Sequence, residues 1–531
     1  MDDDKVNLPQ NQTDSEAPVP LAEDPPQAAP IPQVPPQPQP QPSAEVMPPP
    51  AVPEANPPPP PQPTSADQLV PEEVPADLTP AQVAPEQEFI PPTDSPTANS
   101  RTKYLVIGAA GLIFVVVFAV ILGLLLGGRK TPKPVAANLL YWGLWDDPET
   151  MKPIIDEYTK KHPEIKIEYK KMDPVSYRDK LVNRKTNGPD IFRYHNTWLP
   201  ELTDIAAPLP ESVMSTAEFN STFYKVHQND LKLGSKYYGI PLMIDGLVLV
   251  YNDGLFKKAG INNPPTTWID VYNYIGKLTV QNNDKKIITS GIALGTAGNI
   301  EHFSDIMALF LTQNGVDMKS LNSKEAAAAL ESYRKFAEEP GAFWDAGMQN
   351  SLNAFIQEKV AMIFVPSWEI LAIKAANPQI RVKVAPVPQV PETNIVSISS
   401  YWAEGVSKFS KNQMQAWQFL KYLSEKDTMT KLYAEQSKTR LFGAAYSRKD
   451  LAPLLANQEY LAPVIKQATD GEYITMPMIA RTFDNGLNDE IVKYMETAID
   501  QTIQGVSYSQ AMSTVAQGVT QVFAKYNIKV Q

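Results

Sequence analysis

Aromatic and planar polar side chains recur beyond residue 140, at positions where predicted strands or helices end. They are Trp145, His195, Asn196, Trp198, Asp245, Trp368, Tyr401, Trp402 and Arg440. Aromatic rings stack on flat apolar faces, while amide, carboxylate, imidazole and guanidinium groups hydrogen-bond to the hydroxyls around such a face. This combination predicts a binding site for a sugar-like molecule.

Each of these side chains also has a simpler interpretation. An aromatic residue beside a strand commonly belongs to the hydrophobic core. Asp245, inside an apolar run, could equally accept hydrogen bonds at a hinge, because a buried carboxylate must be paired in either case. Trp142, Trp344 and Trp417 lack a position at the end of an element and are interpreted as core or surface residues.

Sequence signatures of catalysis are missing. The chain has no cysteine, which excludes thiolate nucleophiles and cysteine-ligated metals, and its four histidines stand far apart. It contains no GxSxG elbow, no phosphate-binding loop and no dinucleotide fingerprint. We therefore expect a binding protein and not an enzyme, with no catalytic residues, metal or cofactor. No basic cluster suggests nucleic acid as a partner.

Alternating strands and helices must position the binding residues. The apolar run NLLYWGLW predicts a strand, and the next stretch, DDPETMKPIIDEYTKKHP, has apolar residues at helical spacing. EIKIEYKKM then alternates with a period of two, as a strand does. Such strand–helix–strand units imply parallel pairing. Some 390 residues of this pattern predict an α/β fold, and the length favours two lobes over one sheet.

Several segments, in order, carry a resemblance to a known family. They are YWGLWDDPETMKPIIDEYTKKHPEIKIEY, NGPDIFRYHNTWLPEL, YYGIPLMIDGLVLVYNDGLFKKAGINNPPTTW, FIQEKVAMIFVPSW and SYWAEGVSKFSKNQMQAWQFLKYLSEKD. From about Leu139 to Val522 the chain resembles the extracellular solute-binding proteins of ABC transporters, family 1, which contains maltose-binding protein. The nine binding residues fall in segments that resemble the family's ligand-contacting segments. Asn196 and Thr197 stand where maltose-binding protein has charged residues, which leaves the ligand's identity open.

The resemblance implies a two-lobed periplasmic-binding-protein type II-like fold whose hinge closes the lobes on a ligand. The solute-binding domain would span 139–531, with lobe 1 at about 139–248 and 395–450 and lobe 2 at about 249–394 and 451–531. A crossing near Gly246–Asn252 would place the hinge beside Asp245. The implied partners are a small-molecule ligand, an oligosaccharide by this resemblance, and ABC permease subunits.

The stretch Tyr104–Gly128 is uncharged, free of proline and apolar throughout. As a helix it would extend roughly 37 Å, enough for the ~30 Å hydrocarbon core of a bilayer. A core helix of this length normally has a polar face, and the apolar run of a signal peptide is shorter and closer to the N-terminus. The sequence therefore predicts one transmembrane helix, a signal-anchor, followed by a linker at 129–138.

Residues 1–100 form an acidic, proline-rich tail. They hold 29 of the 51 prolines and 16 Asp and Glu residues against Lys5 alone. So few large apolar residues predict a disordered segment, either a charged spacer or a docking arm for a proline-recognising partner.

Two flanking basic residues precede the apolar stretch and three follow it, so charge alone slightly favours a cytoplasmic C-terminal domain. The family resemblance implies the opposite: a single-pass protein of the cell membrane with the solute-binding domain outside and the tail in the cytoplasm. Two alternatives stay open. One is a ligand sensor that signals through the helix to a partner of the tail, and the other is a polysaccharide-processing enzyme.

Overall fold

The computed structural model describes residues 135–528. The predicted tail (1–100), the predicted transmembrane helix (104–128) and most of the predicted linker lie outside these residues, and these predictions stay untested. Within 135–528, no helix combines the length and apolar character needed to cross a bilayer.

The strands, in chain order, are β1 (Ala137–Gly143), β2 (Ile165–Lys171), β3 (Ile191–His195), β4 (Lys232–Leu233), β5 (Lys236–Tyr237), β6 (Ile240–Pro241), β7 (Leu247–Asn252), β8 (Val280–Gln281), β9 (Ile287–Thr289), β10 (Met362–Pro366), β11 (Val382–Ala385), β12 (Val396–Ile398), β13 (Trp402–Val406) and β14 (Glu472–Ile474).

The α-helices are Pro148–Lys161, Tyr177–Asn183, Thr216–Thr222, Lys225–Asp230, Asp253–Lys258, Trp268–Leu278, Phe303–Gln313, Lys324–Arg334, Ser351–Ile356, Glu369–Ala376, Gln413–Leu423, Lys426–Gln436, Ala452–Leu455, Ala462–Asp470, Leu487–Ile503 and Tyr508–Lys525. Short 3₁₀ helices occupy Pro174–Ser176, Lys185–Asn187, Asn196–Leu202, Lys335–Ala337 and Lys449–Leu451.

The first sheet has the order β2-β1-β3-β13-β6. β1 pairs in parallel with β2 and β3, and β13 runs antiparallel to β3 and β6. The helix Pro148–Lys161 joins β1 to β2 and buries Met151, Ile154, Ile155 and Tyr158, the apolar positions that its spacing predicted. The predicted strand–helix–strand unit is therefore confirmed.

The second sheet has the order β10-β7-β11, and β7 is antiparallel to both neighbours. All six residues of β7, LVLVYN, are buried, as expected of a central strand covered on both faces. Buried apolar residues form one hydrophobic core around each sheet. The described residues thus form the two-lobed α/β arrangement that the sequence predicted.

Within residues 135–528, three chain connections join the two cores. The chain passes from β6 to β7 through 242–246 and from β11 to β13 through 386–401, and a third passage follows the helix Lys426–Gln436 and leads to residues of the second core. These connections lie side by side: the Ser400 amide donates to the Asp245 carbonyl at 3.0 Å, and the Ile244 amide donates to the Ala445 carbonyl at 3.0 Å. The crossing comes earlier than the predicted Gly246–Asn252, because the whole of β7 pairs within the second sheet.

Gly246 stands where two of these connections touch. It forms a β-bridge with Ser399. A Cβ atom at this position would lie 2.2 Å from the Ile398 carbonyl oxygen and 2.5 Å from the Tyr473 ring. Only a residue without a side chain permits so close an approach of the two backbones.

Candidate functional site

A cavity of about 390 Å³ opens where the three connections meet the two sheets. Its wall takes residues from both cores and includes six of the nine predicted binding residues: Trp145, His195, Asp245, Trp368, Trp402 and Arg440. The structure therefore brings together side chains that are almost 300 positions apart in the sequence. Whether they contact a ligand stays a prediction.

Aromatic rings form one side of the cavity, which we call the aromatic wall (Trp145, His195, Trp402 and Phe483). The rings of Trp145 and Trp402 meet edge to face at 5.5 Å, and His195 packs on Trp402 at 5.2 Å. Phe483 extends the row, 6.3 Å from Trp145. Trp145 stays partly exposed, so its ring offers a face for stacking against a ligand.

A buried charge cluster adjoins the aromatic wall. Arg193, in β3, donates to Glu404 of β13 at 2.6 Å and to Asp146 at 3.1 Å. Burial would raise the pKa of Asp146, but the guanidinium groups of Arg193 and Arg440 outweigh it and lower that pKa. Burial raises the pKa of Glu404 in spite of Arg193. The cluster keeps Asp146 ionised and fixes the start of the helix that follows Trp145.

His195 is held as a neutral ring. Its Nδ1 and Nε2 atoms lie 2.8 Å from the Thr197 hydroxyl and 3.1 Å from the Ser400 hydroxyl. Burial lowers the pKa of His195 to about 3. The ring can therefore exchange hydrogen bonds with a ligand or its neighbours without carrying charge.

Asp245 lies in the first connection and accepts hydrogen bonds from the second lobe. Its carboxylate accepts the Ser367 hydroxyl at 2.6 Å, the Ser367 amide at 3.1 Å and the Gly246 amide at 2.7 Å. Burial raises the pKa of Asp245 to about 6, although these hydrogen bonds oppose the rise. The structure thus gives this residue the contacts of a hinge acceptor while also placing it in the cavity wall.

A second charged group borders the cavity beside Trp368. Glu369 accepts hydrogen bonds from His302 at 3.2 Å and from Arg481 at 3.1 Å. Burial opposes ionisation of Glu369, but His302 and Arg481 outweigh it and lower its pKa. Burial would lower the pKa of His302, but Asp305 and Glu369 raise it to about 9, so this histidine is a cation at neutral pH.

The segment that carries Arg481 and Phe483 has an unusual backbone. Both residues have a φ of 59°, and Asn485 follows with a φ of 48°. Non-glycine residues in this left-handed region cost free energy and gather at functional sites, where the surrounding contacts hold them. Here the contacts are the ion pair of Arg481 with Glu301 and Glu369, and the packing of Phe483 on Trp145.

The structure does not place Asn196, Trp198 and Tyr401 in the cavity wall. Asn196 and Tyr401 donate to Asp230, at 2.9 Å each, and Thr475 donates to the same carboxylate at 2.7 Å. Trp198 is buried behind Trp402, with the rings 5.3 Å apart. The reason is geometric: neighbouring residues of a strand point to opposite faces, so Trp402 faces the cavity and Tyr401 faces away.

Sequence reasoning missed several residues of the wall, including Asp146, Arg193, Glu369, Arg481 and Phe483. A signal existed for Arg193, since a charged residue inside the apolar strand IFRYH must be paired if the strand is central. Asp146 directly follows Trp145, and a carboxylate so close to the start of a predicted helix is more simply interpreted as a helix cap. Arg481 and Phe483 lie in a loop without periodicity, where the sequence offers no signal.

Comparisons with known proteins agree with this geometry. Residues 142–430 match the family described as bacterial extracellular solute-binding protein. A binding protein of Brucella abortus is 23% identical over 308 residues, which cover 52% of this chain and 72% of that protein. The multiple sugar-binding protein of Streptococcus mutans is 22% identical over 303 residues, 54% of this chain and 70% of that protein.

A solved structure shares the fold. The crystal structure of a cyclo/maltodextrin-binding protein complexed with maltotetraose is similar with a TM-score of 0.61 at 20% identity, covering 74% of this chain and 99% of that one. The family match itself extends over more than half of the sequence and includes both sheets except for most of β1. The protein belongs to the bacterial extracellular solute-binding protein family.

Proposed function

We propose that this protein is a membrane-tethered solute receptor that binds an oligosaccharide in the cavity and delivers it to an ABC importer. The observation that carries the proposal is the cavity wall itself. Both lobes contribute aromatic rings to it, Trp145 and Trp402 beside the first sheet and Trp368 just after β10 of the second. Relatives named as sugar-binding and maltodextrin-binding proteins support the saccharide assignment.

Because the residues of the cavity wall come from both lobes, we expect a ligand to favour closure of the lobes. A ligand gains contacts with both lobes only when they are closed, so it shifts the population toward the closed form. The predicted transmembrane helix at 104–128 would keep this domain at the outer face of the membrane, beside the permease. We propose no catalytic step.

A saccharide panel tests the proposal. Binding is measured by tryptophan fluorescence and by the melting temperature, and at least one oligosaccharide is expected to change both.

Trp145→Ala is expected to weaken binding by roughly tenfold or more, because it removes a stacking surface. Trp268, also partly buried but outside the cavity wall, supplies the control: Trp268→Ala is expected to leave affinity within about twofold.

A panel that changes neither signal contradicts the saccharide assignment.

The topology is tested separately by adding protease to intact cells. Loss of the domain at 135–528 is expected, and its protection would contradict an outward-facing receptor.

A further inference from the structure

One part of the cavity wall consists of apolar side chains, which the hydroxyls of an unsubstituted sugar do not complement. We call it the aliphatic patch (Met243, Leu371, Met429, Leu432 and Ala445), and Phe442 lies in the same wall. Met429 and Leu432 lie one helical turn apart in Lys426–Gln436, and Leu371 comes from Glu369–Ala376 across the cavity. The hydrogen bond from the Ile244 amide to the Ala445 carbonyl holds Met243 beside Ala445. These side chains offer a hydroxyl no hydrogen-bonding group stronger than the weakly accepting sulfur of methionine.

The carboxylates around the patch are already engaged by the protein. Asp146 accepts from Gln436 at 2.8 Å and from Arg193 at 3.1 Å. Asp245 accepts from Ser367 and Gly246, and Glu369 accepts from His302 and Arg481. A ligand hydroxyl buried against the patch, away from the hydroxyls of Tyr433 and Tyr446, would have to compete for these acceptors or lose its hydrogen bonds, which is costly.

Apart from the hydroxyls of Tyr433 and Tyr446, the hydrogen-bonding side chain nearest the patch is a pure donor, Arg440. Arg440 lies two positions before Phe442 and approaches Asp146 only to 3.7 Å, beyond hydrogen-bond length. Its Nε atom is buried without a hydrogen-bond partner among the described residues. A guanidinium only donates, so it is complementary to an oxygen that only accepts, such as a carbonyl.

We propose that the preferred solute is a saccharide esterified with an apolar acyl group. The sugar ring stacks on the aromatic wall, the acyl chain packs on the aliphatic patch, and the ester carbonyl accepts a hydrogen bond from Arg440. The inference rests on the proposed function, because it takes the saccharide site as given and names the substituent. Each methylene buried on the patch is expected to improve affinity by about fourfold.

Two matched ligand series test the inference. Calorimetry compares maltotriose and cellotriose with their 6-O-acetyl and 6-O-butanoyl esters. In the series that binds, affinity is expected to rise from parent to acetyl to butanoyl, with a gain of roughly 15-fold between the two esters. Equal or weaker binding of the esters overturns the inference and leaves the proposed function standing. Failure of every parent and ester to bind contradicts the proposed function, and with it the inference.

A variant pair locates the effect on the patch. Met243 is only partly buried, so the nearly isosteric Met243→Gln is compatible with folding. This variant is expected to reduce the butanoyl advantage, taken as the ratio of butanoyl-ester affinity to parent affinity measured in the same variant, by roughly tenfold. The matched control is Met414→Gln on the surface, where the methionine is 42% exposed and outside the cavity. An unchanged butanoyl advantage in Met243→Gln would overturn the assignment of the acyl chain to the patch.

Discussion

Among the described residues, Arg193 is the single cation that reaches both Asp146 and Glu404 in the buried cluster behind the aromatic wall. Arg193→Met leaves two buried carboxylates without this partner, and we expect the free energy of unfolding to fall by about 3–5 kcal/mol. Urea unfolding measures it. Arg184→Met, at an exposed arginine of the same lobe, is expected to change stability by less than about 0.5 kcal/mol. Equal losses in the two variants would contradict the structural role of the cluster.

Asp245 should give the protein a pH-dependent stability. Its pKa is about 6 in the folded state against an ordinary 3.8, so between these values the folded state holds a proton that the unfolded state has lost. The free energy of unfolding therefore falls as pH rises through this window, by about 3 kcal/mol in all. Asp245→Asn keeps the amide acceptor and removes the titration.

The measurement is the stability difference between wild type and Asp245→Asn at pH 4 and at pH 7. Taking the difference cancels the contribution of Asp230, whose pKa burial also raises to about 6. The wild type is expected to lose its advantage as pH rises. Parallel pH profiles for the two proteins would contradict the raised pKa, because they would show that folding leaves the pKa of this carboxyl unchanged.

The helix Trp268–Leu278 begins with a capping box in which the Thr267 hydroxyl accepts the Asp270 amide at 3.1 Å and Asp270 bonds back to the Thr267 amide at 3.0 Å. Thr267→Ala removes one half of this reciprocal pair, and a loss of about 1 kcal/mol in unfolding free energy is expected. Thr497→Ala, at an exposed threonine inside the helix Leu487–Ile503, is the control and should change stability by less than about 0.5 kcal/mol. A loss no larger than the control's would contradict the cap.

Periodicity predicted the elements and could not predict their assembly. The spacing of Met151, Ile154 and Tyr158 was sufficient for the first helix, and the apolar run LVLVYN for β7. The stretch YYGIPLMIDGLVLVYN, however, divides between two sheets, because β6 pairs with β13 and β7 pairs with β10 and β11. These partners lie more than 100 residues away, and no local pattern records them.

The sequence could predict those residues of the cavity wall that lie at or next to the ends of strands. Trp145, His195 and Trp402 were found in this way, and all three line the cavity. Tyr401, which the sequence predicted as a binding residue beside Trp402, lies outside the cavity wall, because a one-residue step along an extended chain reverses the direction of the side chain. Phe483 was missed because its direction depends on a left-handed backbone in a loop.

At the level of the complete chain, residues 135–528 contain both hydrophobic cores, the three connections and the cavity. A fragment that begins at Lys133 should therefore fold alone, with a melting temperature within roughly 2 °C of the full chain and the same ligand affinity. Differential scanning calorimetry and titration of the two proteins measure this. A fragment without a cooperative transition would show that the preceding residues take part in the fold.

The contact at Gly246 has a consequence for how this chain can change over generations. Relatives that share little more than a fifth of its residues show that most positions tolerate replacement. At Gly246, a single added methyl group would collide with the backbone of the neighbouring connection at 2.2 Å. The short distance between the two backbones thus excludes every residue larger than glycine at this position. In any descendant that keeps this crossing of the two connections, we expect glycine at this position, whatever solute its cavity has come to bind.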